Sequence, residues 1–153
     1  MDSNNILSKM STMRLDGMYS LYKNMIGSGQ CDAITNEELL TMLINAEWDN
    51  RENNRVERAL KEAKFRYQAA IENIRYDDDR GLDKSQIIRL SDCSYITQAK
   101  NILITGFTGT GKSYLASAFG HQACYNGYKV MYQNAQKLFA KLRMLRQMIL
   151  IVS

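Results

Sequence analysis

An eight-residue phosphate-binding loop constrains the fold of this chain more than any other feature. Residues 106–113 read Gly-Phe-Thr-Gly-Thr-Gly-Lys-Ser, and they follow the short β-branched run 101–105 and precede a helical pattern. The glycines let backbone N–H groups turn inward toward phosphate oxygens, and the N-terminus of the next helix adds positive potential. A glycine-rich turn before a helix would not need a Lys-Ser pair at this offset. The sequence therefore predicts a nucleoside-triphosphate site for ATP or GTP.

The loop predicts a role for each of its polar residues. Lys112 is expected to reach the β- and γ-phosphates, and the Ser113 hydroxyl is expected to ligate Mg²⁺. The loop therefore predicts a nucleoside triphosphate, either ATP or GTP, bound together with Mg²⁺, and it predicts Ser113 as the metal ligand. The predicted cofactor-binding residues are Gly106, Phe107, Thr108, Gly109, Thr110, Gly111, Lys112, Ser113 and Tyr114.

The charge of the chain is unevenly distributed. The formal net charge of +4 is mild, but the last acidic residue is Asp92, and from Cys93 to Ser153 the chain has no Asp or Glu. The basic residues of that acid-free segment are Lys100, Lys112, Lys129, Lys137, Lys141, Arg143 and Arg146. Such a distribution hints at a polyanionic partner.

Cysteine usage and hydropathy indicate a cytoplasmic protein without a membrane segment. Cys31, Cys93 and Cys124 lack any CxxC spacing, which favours buried free thiols in a reducing compartment over a metal site. The polar N-terminus has no signal-peptide pattern, and the longest apolar run, 148–152, is too short to cross a bilayer.

The first 75 residues predict a helical domain. Apolar residues recur at three-to-four spacing from Ile6 to Met25, and a second helix starts at a capping box, Thr35 to Glu38, and runs to about Phe65. Five basic residues recur along the second helix with glutamates between them. A solvated, salt-bridged face and a nucleic-acid-facing stripe explain that pattern about equally well. The five are Arg51, Arg55, Arg58, Lys61 and Lys64.

The remaining residues predict the opening of a parallel P-loop sheet. The charged, turn-prone stretch 76–81 marks the domain boundary, and its acidic triplet is expected to be a solvated linker rather than a metal site. The predicted elements after it are a helix at 84–93, a strand at 101–105, a helix at 114–126, a strand at 128–132 and a helix at 135–144. The predicted fold class is therefore α/β, a helical N-terminal domain at 1–75 followed by the first β-α-β-α part of a P-loop ATP-binding domain at 76–153.

Hydrolysis of a bound nucleotide requires more than a phosphate cradle. An acidic side chain at the end of another strand normally helps hold Mg²⁺, and a polar group positions the attacking water. No Asp or Glu follows the loop in this chain. No catalytic residue is therefore assigned, and hydrolysis by this chain alone is not expected.

Several blocks around the loop resemble the IstB-like transposition helper ATPases, which are AAA+ proteins related to the DnaC helicase loaders. The resemblance rests on residues 13–18, 46–55, 60–65, 81–84, 101–116, 120–124 and 127–130. The Glu-Trp-x-x-Arg-Glu-x-x-Arg block at 47–55, taken together with the loop, is specific to this family. The loop alone is not.

This resemblance implies a helper of insertion-sequence transposition with a small helical domain and an AAA+ domain. Such helpers bind ATP with Mg²⁺, assemble on duplex DNA largely regardless of sequence, and recruit or stimulate the transposase of the same element. It also implies a homo-oligomer for the full-length protein. The family's Walker B acids, sensor residue and arginine finger lie beyond Ser153, so the resemblance implies a truncated and hydrolysis-defective helper.

Three other functions remain open at this stage. A DnaC-like helicase loader would share the fold, although the block at 47–55 favours the transposition branch. A nucleotide-independent module would use only the helical half for DNA or protein contact. A small nucleotide kinase is disfavoured because no substrate-binding acid or lid arginine follows the loop.

The C-terminal residues suggest a frameshift. Under one permitted codon choice, a one-base shift turns residues 147–153 into the polar, family-like stretch Ala-Asp-Asp-Ser-Tyr-Arg-Lys. The hypothesis is that the chain is a frameshifted fragment of a longer gene, which the encoding DNA would test.

Overall fold

A computed structural model describes residues 3–29, 34–76 and 81–152, with side chains up to residue 145. Within these ranges all of the regular elements are helices. They are α1 (Ser3–Thr12), α2 (Asp16–Ser28), α3 (Asn36–Ala63), α4 (Lys84–Ser91), α5 (Ser94–Thr97), α6 (Lys112–Tyr125) and α7 (Ala135–Val152), with one 3₁₀ turn at Ile71–Asn73. The chain divides into two compact units, residues 1–57 and residues 58–153.

The first apolar stretch forms two helices where the spacing predicted one. Arg14 adopts a left-handed conformation with φ of 58°, which separates α1 from α2. Helix α2 ends at Ser28, and the N–H of Gly29 donates to the carbonyl of Ile26. Local spacing fixed the apolar face here, but it could not locate a single-residue break.

The start of helix α2 lies close to α3 within the first unit. Gly17 lies so near the α3 backbone that an added Cβ would stand 2.3 Å from the carbonyl oxygen of Ala46. The carboxylate of Glu47, buried at 6% exposure, accepts hydrogen bonds from the backbone N–H groups of Gly17 and Met18. A buried acid therefore satisfies two N–H groups at the start of α2 that have no partner inside their own helix.

The predicted capping box at the start of α3 is confirmed. The backbone N–H of Thr35 donates to Glu38 Oε2 at 2.9 Å, and the N–H of Glu38 donates back to Thr35 Oγ1 at 3.3 Å. The helix runs to Ala63 and ends where Lys64 turns into a left-handed conformation with φ of 54°. The boundary between the two compact units falls within this helix.

The core of the second unit lies around α6. Its buried residues are Ala69, Ile74, Ile87, Ala118 and Phe119. Phe65 packs so closely on α6 that an added Cβ at Gly120 would lie 2.3 Å from the phenyl ring, and the ring centroid is 4.3 Å from that of His121. This packing holds the helix that begins at the phosphate loop.

The predicted parallel sheet is wrong. Residues 101–105 and 128–132 are neither helix nor strand, and no strand occurs among the described residues. Their side chains do alternate in burial, with Leu103 87% and Met131 73% exposed between half-buried neighbours. A strand, however, is defined by a ladder of hydrogen bonds to a neighbour, and the N–H of Tyr132 instead donates to the carbonyl of Ala63. The α/β fold class is therefore corrected to a helical architecture in which these segments are irregular.

Two further sequence expectations are settled in part. Cys93 and Cys124 are buried free thiols, as predicted, while Cys31 and the acidic stretch 77–80 lie outside the described residues. In the part of the chain that the structure describes, no helix is both long and apolar enough to cross a membrane.

Candidate phosphate-binding site

The loop at 106–113 has the backbone conformation that its glycines permit. Gly106, Gly109 and Gly111 have φ values of 148°, 86° and 87°, a region that side-chain-bearing residues rarely adopt. Gly111 caps α6, which begins at Lys112, and its carbonyl accepts the N–H of Leu115 at 3.0 Å. The loop therefore delivers the chain directly into a helix N-terminus, where partial positive charge favours an anion.

The lysine of the loop folds back over it. Lys112 Nζ donates to the carbonyl oxygen of Gly106 at 2.8 Å and also to that of Phe107. The Thr110 hydroxyl donates to the same Phe107 carbonyl at 2.9 Å. Backbone carbonyl groups therefore fix the Lys112 ammonium at the N-terminus of α6, beside the glycines. No carboxylate is among these partners.

A cleft of about 890 Å³ opens over the loop. This volume falls within the range of small-molecule sites. Its lining consists of Asn73, Ile74, Arg75, Gly81, Leu82, Ile104, Thr105, Gly106, Phe107, Gly109, Thr110, Gly111, Lys112, Tyr114 and Leu115. All of these residues belong to the second unit, so the cleft is formed within one compact body.

The cleft brings together most of the residues predicted from the loop. Seven of the nine line it, whereas Thr108 and Ser113 lie beside lining residues. Sequence reasoning did not find the rest of the lining, which consists of Asn73, Ile74, Arg75, Gly81 and Leu82 together with residues that flank the loop. Nothing in the local sequence at 73–75 marks these residues as part of a binding site, because only the fold brings them close to the loop.

An aromatic pair flanks the start of α6. The rings of Tyr114 and Tyr67 lie 6.4 Å apart, and the guanidinium of Arg66 lies 5.3 Å from the Tyr67 ring. Tyr114 therefore reaches from the lining of the cleft toward the segment that follows α3. It anchors the first turn of the helix that carries Lys112 and Ser113.

Two described acidic residues of the second unit, Asp83 and Asp92, have their carboxylates engaged by neighbouring serines. The carboxylate of Asp83 accepts from the hydroxyl and the N–H of Ser85 at the start of α4, and these bonds hold its pKa below the ordinary value. Asp92 accepts from the N–H of Ser94 in the same way. Across the described ranges, no group of three or more His, Cys, Asp or Glu side chains could hold a metal ion.

Comparison with known proteins assigns the family. The family model described as IstB-like ATP binding protein matches residues 8–148. The match covers most of both compact units and the whole phosphate loop. The chain therefore belongs to the IstB-like ATP binding protein family.

Its relatives come from bacterial insertion sequences. The chain is 36% identical over 140 residues to a Sinorhizobium fredii protein whose name describes an insertion sequence ATP-binding protein, covering 92% of this chain and 57% of the relative. It is 35% identical over 138 residues to a protein of Pseudomonas fluorescens named as an ATP-binding protein of insertion sequence IS1162, covering 90% and 60%. The chain thus spans less than two thirds of the length of these relatives.

Proposed function

We propose that this chain binds ATP with Mg²⁺ through the cleft over residues 106–113, as a helper in insertion-sequence transposition. The observation that carries the proposal is the cradle itself. Three glycines in positive-φ conformations, a fixed lysine ammonium and a helix N-terminus converge on one cleft. An added Cβ at Gly106 would stand 3.3 Å from Thr110 Oγ1, so the space beside the backbone suits an anion better than a side chain. The residues present therefore fit a triphosphate.

Different lining residues of the cleft suit different parts of a nucleotide. The loop wall offers backbone N–H groups and Lys112 to phosphates. Elsewhere in the lining, Leu82 suits the apolar face of a base and Asn73 offers its side-chain amide, whereas Ile74 belongs to the buried core beneath them. We infer that the base lies toward residues 73–75 and the phosphates toward α6.

Equilibrium titration with a fluorescent ATP analogue tests this proposal. Lys112→Ala is expected to weaken binding at least about tenfold, because it removes the charge that offsets the terminal phosphates. Lys100→Ala is the matched control, since Lys100 is exposed and lies outside the cleft. Equal affinity of both variants and the parent chain would sink the proposal.

The metal has a separate test. We propose that the Ser113 hydroxyl ligates Mg²⁺ next to the phosphates. Mg²⁺ is then expected to strengthen ATP binding in the parent chain and to have little effect in Ser113→Ala. A Mg²⁺ dependence that survives this substitution would assign the metal to other ligands.

We propose binding, rather than hydrolysis, as the activity of these 153 residues. No Asp or Glu occurs after Asp92 in this sequence, and Asp83 and Asp92 are engaged in helix caps. Neither carboxylate is then available to complete the metal shell or position water. Phosphate release should stay at the background rate while ATP binding is intact.

Duplex DNA is the proposed polyanionic partner. In the acid-free segment, Lys100, Lys129, Lys137, Lys141 and Arg143 offer cationic side chains outside the cleft. Arg51 and Arg55 of α3 are less suited, because Arg51 pairs with Glu47 and Arg55 with Glu52. We therefore assign backbone contact to the C-terminal basic residues, with transposase assistance as the biological role that the insertion-sequence relatives support.

The salt dependence of DNA binding tests that assignment. Replacing Lys137 and Lys141 together by Gln should lower affinity on any sequence, and it should reduce the salt slope by about one for each phosphate that the protein no longer neutralises. Lys9→Gln, an exposed position on α1, is the control. If the control and the double variant behave alike, the DNA contact lies elsewhere.

A further inference from the structure

The cleft over the phosphate loop contains a second cationic side chain, which does not belong to the loop. Arg75 lines the cleft and is exposed. Among the lining residues that the structure describes, Arg75 and Lys112 are the charged ones, and both are basic. The described lining is therefore cationic at two separate points of the chain, and the loop accounts for only one of them.

The backbone before Arg75 directs its side chain away from the core. Ile74 has an extended conformation, with φ of −74° and ψ of 124°, and its side chain is buried in the core of the second unit. In an extended chain, successive side chains point to opposite sides. Tyr76 also packs against that core. Arg75 therefore lies between two residues that face the core, and its own side chain faces the cleft.

The guanidinium of Arg75 is not engaged by any other residue that the structure describes. Other arginines of the chain have partners: Arg55 pairs with Glu52, and Arg66 lies over the ring of Tyr67. Within the described ranges, Arg75 makes no comparable ion pair or ring contact. Its side chain carries five N–H donors in a planar fork. These donors face a cleft that already has the features of an anion site.

We propose that Arg75 is a further nucleotide-binding residue of this cleft and that its guanidinium donates to the α-phosphate of the bound nucleotide. The inference rests on the function proposed above, which places the base toward residues 73–75 and the terminal phosphates toward α6. The α-phosphate is the phosphate nearest the base, so it is the one that a cation at position 75 would meet. A guanidinium matches phosphate oxygens in both charge and geometry.

The two cations should then be distinguished by the number of phosphates on the ligand. AMP, ADP and ATP all carry an α-phosphate, whereas adenosine carries none. A loss of the Arg75 contact should therefore weaken all three nucleotides by a similar factor and leave adenosine unchanged. Loss of Lys112, which is expected to reach the β- and γ-phosphates, should instead weaken ATP most and AMP least.

Competition of adenosine, AMP, ADP and ATP against a fluorescent ATP analogue tests this pattern on the full chain. Arg75→Gln should weaken the three nucleotides by about five- to tenfold, since a charge-assisted hydrogen bond at an exposed site is worth less than a buried one. Arg75→Glu should weaken them further, because its carboxylate repels the phosphate. The affinity for adenosine should be the same in both variants as in the parent chain.

Arg89→Gln is the matched control. Arg89 is an exposed arginine of the same compact unit, on α4, and it lies outside the lining of the cleft. The control removes the same charge and should leave all four affinities unchanged. Far-UV circular dichroism checks that each variant keeps its helices, which is expected because Arg75 is exposed and is not part of the core.

Three results would overturn the proposal while leaving the function proposed above intact. The first is a normal AMP affinity in Arg75→Gln while Lys112→Ala still weakens ATP. The second is a loss of adenosine binding as large as the loss of AMP binding, because the contact would then be to the base or the ribose. The third is an equal effect of Arg75→Gln and Arg75→Glu on AMP. A parent chain that binds none of the nucleotides would instead refute the proposed function itself.

Discussion

At the scale of single residues, substitutions of Gly17 and Gly27, two glycines of α2, are expected to change stability in opposite directions. A Cβ at Gly17 would meet backbone atoms of Ala46 and Glu47 at 2.3–2.8 Å, whereas one at Gly27 would meet nothing within 4 Å. Gly17→Ala should therefore destabilise the first unit by about 1–3 kcal/mol through overpacking. Gly27→Ala should instead stabilise it by up to about 1 kcal/mol through helix propensity. Chemical denaturation measures both, and a stabilising Gly17→Ala would contradict the packing.

Glu47 is the second residue-scale case, because it is buried and charged. Burial disfavours its ionised form, but the hydrogen bonds from Arg51 and from the N–H groups of Met18 and Gly17 prevail, and its pKa lies below the ordinary value. A lowered folded-state pKa stabilises the fold above the unfolded-state pKa, near 4.5. That stability is lost as pH falls through the folded-state pKa.

Glu47→Gln should accordingly cost about 1.5–3 kcal/mol at neutral pH, because it weakens hydrogen bonds to a charged acceptor. It should also flatten the loss of stability below about pH 4.5. Glu52→Gln is the control, since it alters an exposed pair on the same helix and should change little. The measurement is unfolding of each variant across acidic pH. If the stability of Glu47→Gln falls with decreasing pH as steeply as that of the parent chain, protonation of Glu47 is not the cause of that loss.

At the scale of elements, the packing of α6 depends on a glycine that admits an aromatic ring. Gly120→Ala would place a Cβ 2.3 Å from the Phe65 ring, so the ring must move off α6. The expected cost is about 1–3 kcal/mol in the second unit. In a Phe65→Leu background the same change should cost clearly less, because the two positions share one contact. If the free-energy costs of Gly120→Ala and Phe65→Leu simply add, the Phe65 ring is not what opposes a side chain at position 120.

The pKa of His121 reports directly on the displacement of Phe65 in the Gly120→Ala variant. Burial lowers its pKa below the ordinary value, against a hydrogen bond with the Tyr67 backbone. Since this is the only histidine of the chain, its ring-proton signals can be followed through the titration without overlap from another imidazole. Displacing Phe65 should expose the imidazole and move its pKa back toward 6.5.

At the scale of the whole molecule, the two compact units each have a reporter. Trp48, the only tryptophan, lies in residues 1–57, and His121 lies in residues 58–153. The packing within each unit predicts that fluorescence and the imidazole signal follow different unfolding transitions. Gly17→Ala should shift the first transition, and Gly120→Ala the second. Coincident transitions in the parent chain and in both variants would mean a single cooperative unit.

Sequence reasoning succeeded where the signal was local. The capping box at Thr35 and Glu38 and the helix that follows the loop each depend on a few adjacent residues, and both are present. It failed at 101–105 and 128–132, where β-branched and alternating residues predicted strands. Such residues favour a strand only when a neighbour completes the ladder, which no local pattern can supply.

The sequence by itself determined the glycine-rich loop and the helix that starts at its end, because the glycines, the lysine and the helix start act over eight consecutive residues. It also determined the family, whose blocks lie along most of the chain. Only the tertiary structure decided that Glu47 is a buried cap for α2, that residues 73–75 line the cleft, and that the two predicted strands do not pair. Each of these features depends on contacts between residues distant in sequence. The free energy of such contacts is set by packing rather than by local conformational preference.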